Sequence, residues 1–538
     1  MAIDDIYTKG IAGGWRVRDA SALPANISIE ADVVIVGTGA GGGTSAEILS
    51  AAGLKVLMLE EGPLKTAASF KDMDEGRAYR ELYQEAAGRT TSDGAISILQ
   101  GRSVGGTTTV NWTSSFRTPA PTLKHWAEVH QVKGHSEQDM APWFDKMEQR
   151  LGIAPWAGTP NANNGVLQRG CEKLGWEWHV IPRNVKSCWN SGYCGLGCPV
   201  NAKQSMLVST IPEALKQGAE LIHHLRVQKL TFDKDRVSGL VAEALDADCL
   251  KPTGVQVEVH AHHYILAGGA INTPALLLRS QAPDPHARVG QRTCIHPVNL
   301  SVAQFEQRID PFYGAPQSIA SDHFQWKDGA TGAMGYKLEV PPMMPALSSS
   351  VFGTFGQTLK EDMAALPHSN AMLALLRDGF VAECQGGQVT VDEQTGAPVL
   401  HYELSPHVWD AVRRAYLSMA EAQFAAGARR VRPAHLDAAW YGSWDEARAA
   451  IAALPLKKFR TGLFTAHLMG GCAMSEEPKQ GVVNSKGRHH QLANLSIFDG
   501  SVFPTSIGAN PQLSIYGLTA QNATALTGEL IAAQKPEA

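Results

Sequence analysis

Residues 31–62 read ADVVIVGTGAGGGTSAEILSAAGLKVLMLEEG. The β-branched run Val33-Val34-Ile35-Val36 predicts a buried central strand. Gly37, Gly39 and Gly42 follow in the order G-x-G-x-x-G and open a helical pattern that runs through Ala52. Gly53 stops it, and residues 55–59 predict a second strand. In such a unit one glycine permits the tight turn, one lets backbone approach a pyrophosphate, and one lets helix and strand pack closely. The helix N-terminus offers free N–H groups to the phosphates. Glu60 closes the second strand about 20 residues on, where a carboxylate accepts hydrogen bonds from ribose hydroxyls. Strand, glycines, helix, strand and acid stand in the order a dinucleotide requires. The motif by itself does not choose between FAD and NAD.

Around this unit the chain is long, 538 residues, which predicts two or more lobes. A 44% hydrophobic and 18% charged composition is ordinary for a globular protein. The 47 basic and 52 acidic residues are well mixed, net −5, so nucleic acid and anionic membrane are not expected partners. No apolar run approaches the ~20 residues of a membrane span. Residues 1–21 lack a signal-peptide core and twin arginines, so the cytoplasm is the expected compartment, with export on a partner subunit the alternative.

Residues 101–117, GRSVGGTTTVNWTSSFR, form a second glycine-rich loop. Gly105 and Gly106 allow close backbone approach, and Thr107 to Thr109 offer hydroxyls and N–H groups to the edge of a flat polar ligand; a plain turn before a strand is the alternative. Residues 120–186 read as helical and irregular, with packing tryptophans. Cys188, Cys194 and Cys198 then follow as C-x5-C-x3-C-P. Three cysteines interleaved with glycine suit a loop wrapped around an iron–sulfur cluster. Zinc would need a fourth ligand that the sequence does not name. Structural thiols or one disulfide remain open.

Residues 203–217 predict a helix, and 219–225, 227–232, 239–244, 255–260 and 264–266 predict strands. Strands returning this late are expected of a dinucleotide domain assembled from distant segments. From about 300 to 455 strand-like stretches alternate with turns, and Ser405-Pro406 starts a helix that Gly427 stops. This predicts a second domain of sheet and covering helices. The histidine pairs 223–224, 262–263 and 489–490, and His407, read as surface residues without metal-ligand spacing. The last 80 residues hold His467-Leu468-Met469-Gly470-Gly471-Cys472, then Asp499-Gly500, then Asn510-Pro511 opening a final helix.

Together these stretches resemble the glucose–methanol–choline (GMC) oxidoreductase family. The resemblance rests on the fingerprint with Glu60, Gly101 to Asn111, Gly269 to Pro274, Val289-Gly290 with His296-Pro297, His467 to Cys472, and Asp499-Gly500 with Asn510-Pro511. Gln281 departs from the second family signature, which usually ends there in glycine. The resemblance implies an α/β fold: a discontinuous Rossmann-like FAD-binding domain (31–120, 200–300, 456–538) and an α+β substrate domain with an antiparallel sheet (301–455). Residues 1–30 are then an extension, and 121–199 a cap carrying the cysteines.

It also implies FAD, held by Gly37, Gly39, Gly42, Glu60, Gly105, Gly106, Thr107, Asn111, Val227, Asp499, Gly500 and Pro511. The family's catalytic pair falls on His467, as acceptor of the substrate hydroxyl proton, and Asn510, as donor to the same oxygen. Hydride passes to the flavin. Within the family, Asp499-Gly500-Ser501 and Lys203-Gln204-Ser205 look most like the long-chain alcohol oxidase branch. The cysteine spacing is instead similar to flavoprotein subunits of bacterial glucose and gluconate dehydrogenases, which implies a [3Fe-4S] cluster on Cys188, Cys194 and Cys198 and an electron-accepting cytochrome or small redox subunit. The expected substrate is a small-molecule alcohol, long-chain aliphatic, terpenoid or aromatic, with sugars and polyols as alternatives. Competing expectations are an oxygen-using oxidase, a lyase that keeps flavin without redox chemistry, and a dinucleotide sensor.

Overall fold

The computed structural model describes residues 5–534; the ends of the N-terminal extension and of the C-terminal segment lie outside the described residues. The fingerprint folds as read. Ile27–Val36 is a strand with Val33, Val34 and Ile35 fully buried, and Val56–Leu59 runs parallel beside it. The helix Ala40–Ala51 crosses between them.

These strands sit inside an eight-stranded sheet. In order across it come Arg16–Asp19, Glu220–His223, Val56–Leu59, Ile27–Val36, Pro252–Leu266, Arg236–Leu245 and Leu225–Asp233. The fifth is 15 residues long, one strand where the sequence suggested two. Its length lets one edge serve two partners. Arg236–Leu245 pairs antiparallel along its first half, and Leu495–Ile497 pairs parallel along its last three residues. The extension contributes the edge strand Arg16–Asp19, parallel to Glu220–His223.

A second eight-stranded sheet, mostly antiparallel, is built around Val298–Gln304, Ser369–Leu376 and Tyr336–Glu339. Ser97–Ile98 and Phe464–Thr465, from either side of the chain, pair in this sheet. Helix Pro406–Ala425 covers it, burying Val408, Val412, Ala415 and Met419. Pro406 is its first residue as expected, but Ser405 Oγ makes no capping bond. Among the described residues no helix is long and apolar enough to cross a membrane.

Two local expectations fail. The helix predicted over 203–217 spans only Thr210–Lys216. Lys203 turns inward instead, and its Nζ donates to the carbonyls of Thr109, Asn111 and Cys194. Three carbonyls in a buried pocket outweigh helical propensity at one residue. The histidine pairs are only partly on the surface: His262 is exposed, but His223, His224, His263 and His489 are buried. In the pair 262–263, inside the strand Pro252–Leu266, alternation turns one ring out and the other in.

Candidate active site

A cavity of about 1170 Å³ lies between the two sheets. Its lining includes Gly37, Gly39, Glu60, Gly106, Thr107, Asn111, Val227, Asp499, Gly500, Asn510 and Pro511, together with His467. Gly42 and Gly105 lie just behind it. A Cβ on Gly42 would sit 1.9 Å from the Gly37 carbonyl oxygen, so this glycine closes helix onto strand. Gly105, at φ +89, donates its N–H to Thr38 Oγ1.

The cavity fits a dinucleotide on its own features. Gly37 takes φ +97, which turns the chain out of the strand, and a Cβ there would meet the Ala267 carbonyl at 2.5 Å. The helix behind it begins without a side-chain cap, leaving its first N–H groups for an anion. Gly106 comes so close to Gly39 that a Cβ would stand 2.8 Å from its Cα. Glu60 Oε2 accepts from Thr38 N–H and Oγ1–H, and Oε1 accepts from Gly62 N–H. Burial raises this carboxyl to about 7. Glu60 therefore ties both glycine loops together through Thr38 while lining the cavity. Asp499 does the same at the other side: Oδ2 accepts from Gly269 N–H and Thr273 Oγ1–H, and Oδ1 from Ser501 N–H.

His467 stands half-buried on the cavity wall, and desolvation by the surrounding protein pulls its pKa down to about 4, so the ring is neutral near pH 7. Its Nδ1 lies 3.3 Å from Nδ1 of His296. His296 Nε2 accepts the Gly508 N–H. A neutral His296 therefore carries its hydrogen on Nδ1 and directs it at His467 Nδ1, which puts the hydrogen of His467 on Nε2. At 3.3 Å this contact between the rings is weak. Asn510 Nδ2 donates to Glu339 Oε2, which also accepts from Gln317 Nε2 at 2.6 Å, and Gln317 Oε1 accepts from Ser114 Oγ. Burial raises Glu339 to about 7, partly offset by Lys337.

Sequence reading missed Glu339, Gln317 and Ser114, and took His296 only as part of a motif. Tyr336, Leu338 and Val340 alternate into the core, so Lys337 and Glu339 between them read as a solvated face. Only the pairing of two distant segments encloses that face. The C-terminal helix Gln512–Gln534 starts one residue past Pro511 and aims its N-terminus at the cavity. Gln512 Oε1 accepts from Asn111 Nδ2, binding this helix start to the second glycine loop.

Cys188, Cys194 and Cys198 are free thiols outside the cavity lining. Asn190 N–H donates to Cys188 Sγ, Lys203 N–H to Cys198 Sγ, and Arg183 Nη2 to Cys194 Sγ. The thiols do not converge tightly. Among the described residues, only Asp19, His223 and His224 bring three His, Cys, Asp or Glu ligand atoms within 4.8 Å of one another.

Comparisons with known proteins agree with this geometry. Residues 79–298 and 384–519 match the N- and C-terminal models of the GMC oxidoreductases. An uncharacterized GMC-type oxidoreductase of Sinorhizobium fredii is 30% identical over 93% of this chain and 95% of its own. A long-chain-alcohol oxidase of Arabidopsis thaliana is 28% identical over 90% of this chain and 66% of its own. Among solved structures, formate oxidase of Aspergillus oryzae superposes with a TM-score of 0.69 at 15% identity, covering 94% of this chain and 99% of that one. Pyridoxine 4-oxidase gives 0.66 at 17%, covering 92% and 99%. The chain belongs to the GMC oxidoreductase family and is one of its FAD-dependent oxidoreductases.

Proposed function

We propose that the protein oxidises a hydrophobic alcohol to an aldehyde or ketone. The observation that carries this reading is the meeting of His467 and Asn510 with the glycine turn on one cavity whose second-sheet lining is apolar. Val298, Leu300, Leu373, Leu375 and Phe464 supply that lining, and Met343 adds to it. A long aliphatic or aromatic alcohol gains by burying carbon there, at roughly 25 cal/mol per Å². A sugar would leave most of its hydroxyls without partners on these side chains.

FAD, when bound, supplies the hydride acceptor. His467 takes the hydroxyl proton at Nε2, in the tautomer that bears hydrogen on Nδ1; reaching it means giving up the weak contact with His296. Asn510 commits one N–H to Glu339 and keeps the other for the substrate oxygen. The start of helix Ala40–Ala51, which has no side-chain cap, and the start of Gln512–Gln534 at the cavity would both favour negative charge on a bound cofactor.

The cysteines supply the electron exit in this reading. Arg183 and Lys203 are both fully buried beside Cys194, and among the described residues no carboxylate forms an ion pair with either; Arg183 Nη1 has no hydrogen-bond partner, and the guanidinium stands 5.0 Å from the centre of the Trp156 ring. The charges of these two cations oppose the burial that pushes the Cys194 thiol up, and backbone N–H groups on two of the sulfurs are the setting in which clusters are tuned. A [3Fe-4S] cluster there would relay electrons outward. Lys203 joins this loop to Asn111 at the cavity. Exposed Trp189 beside Cys188, and exposed Tyr313 on the adjoining loop, offer an aromatic docking face to a cytochrome or small redox subunit.

The second reading, supported by the alcohol oxidases among the relatives, is direct oxidation by oxygen. Both are tested on protein purified without air. A long-chain primary alcohol should bleach the flavin, and iron with acid-labile sulfide should reach about three irons per FAD for the cluster named. Flavin that no alcohol bleaches would overturn the alcohol reading. Bleaching without iron would leave the oxygen-using oxidase.

A further inference from the structure

His223 and His224 touch no part of the cavity. His223 ends the strand Glu220–His223, directly in register with Asp19 at the end of Arg16–Asp19. Successive strand residues point to opposite faces, so neighbouring histidines ordinarily part company. Here the backbone of His224 enters the left-handed region at φ +56 and returns the second ring to the side of the first. The ring centroids stand 4.8 Å apart and the two Nδ1 atoms 2.7 Å apart. Asp19 Oδ1 lies 2.9 Å from His224 Nδ1 and 3.9 Å from His223 Nδ1.

This cluster is short of hydrogens. A ring nitrogen carries either a hydrogen or a lone pair. One hydrogen on His224 Nδ1 must be divided between Asp19 and His223 as a three-centre bond, and the two histidines are only 7% and 5% exposed. Asp19 Oδ1 accepts from Ser21 N–H and Oγ–H, and the carboxylate side chain reaches solvent. Three ligand atoms, one from each residue, thus lie within 4.8 Å of one another, with the Asp19 side open to solvent.

We propose that Asp19, His223 and His224 bind one divalent first-row transition metal ion, zinc above all, with water completing its shell. Two imidazoles and a carboxylate are the donor set that such ions take. The ion would join segments about two hundred residues apart in sequence, stapling the N-terminal strand to the central sheet, and its binding energy would add to folding. It would also brace the cofactor's end of the sheet, because Glu60 N–H bonds to Ile222 O and His224 N–H to Gly62 O.

The test uses the FAD-loaded enzyme, stripped of metal with a chelator and titrated calorimetrically with zinc. Because the cysteine loop could also take zinc, wild type is compared with Asp19→Asn, His224→Gln and Cys194→Ser. One zinc per chain should bind to wild type and to Cys194→Ser, weakened about tenfold or more in Asp19→Asn and His224→Gln, as loss of a ligand requires. Zinc should raise the Tm of wild type and leave that of Asp19→Asn unmoved. Cobalt(II) in its place should show no thiolate charge-transfer band. Absence of zinc binding to wild type, equal affinity in Asp19→Asn, loss of binding in Cys194→Ser, or a thiolate band with cobalt would overturn the proposal. If His224→Gln fails to fold, Asp19→Asn, altered at an exposed side chain, still decides.

Discussion

Burial sets the chemistry of His467 before any substrate arrives. An exposed histidine titrates near 6.5, whereas this ring stays neutral down to about 4 because the surrounding protein penalises its charge. It is therefore available as a proton acceptor across the neutral range. Replacing it with alanine should cut alcohol-dependent flavin reduction by roughly 10²–10⁴-fold. Bound flavin should persist, because the glycine loops do not depend on this ring. Stopped-flow bleaching measures the loss, and unchanged rates would remove His467 from the reaction. In wild type the rate should hold as pH falls below 6.5 and drop only toward 4, since the base is lost only when its own depressed pKa is passed. Leu373 and Leu375 show how one strand divides its labour: they line the cavity, while Met372, Ala374 and Leu376 enter the hydrophobic core on the sheet's other face.

At the scale of elements, the fingerprint turn works because three backbones approach where no side chain fits. A Cβ on Gly41 would lie 1.5 Å from the Phe498 carbonyl, and one on Gly42 1.9 Å from that of Gly37. Backbone, unlike the end of a flexible side chain, cannot move aside cheaply. Gly42→Ala should therefore displace the helix start from the phosphates, and the protein should be purified largely without flavin. Gly528→Ala, in open space on the C-terminal helix, is the control and should keep it. The absorbance ratio of flavin to protein decides, and a flavin-loaded Gly42→Ala would show that the close packing is dispensable.

For the whole molecule, acid stability follows from what is buried. Burial holds His135, His467 and His489 at about 4, and His130 and His263 at about 3. In the unfolded chain these rings take up protons near 6.5, in the folded one only at 3–4. Between those limits the unfolded state binds more protons, so stability falls as pH falls from 6.5 toward 4. Glu60 and Glu339, raised to about 7, and Glu47, Asp378, Glu421 and Asp499, raised by burial as well, act oppositely, but they are six carboxyls against eleven depressed histidines among the described residues. The Tm of the FAD-loaded protein should decline by several degrees from pH 6.5 to 4.5. A flat or rising Tm in thermal melts would show that these rings are hydrated in solution.

Where local spacing sufficed, the sequence determined the outcome. The strand, turn, helix and acid of residues 31–62 come from a contiguous pattern, and glycine at Gly37 is demanded by a backbone angle that side chains resist. The helix after Pro406 and the motifs around His467 and Asn510 were legible for the same reason: each is a short-range signal. Tertiary structure alone decided the rest. Glu339, itself held by Gln317, reaches Asn510, and His296 reaches His467, only because distant strands close over one cavity. Lys203 left its expected helix because three carbonyls awaited it. Asp19 meets His223 and His224 because an N-terminal strand joins the sheet edge. Periodicity reports which face of an element is apolar. It is silent on which polar face another element will enclose, since that depends on contacts hundreds of residues apart.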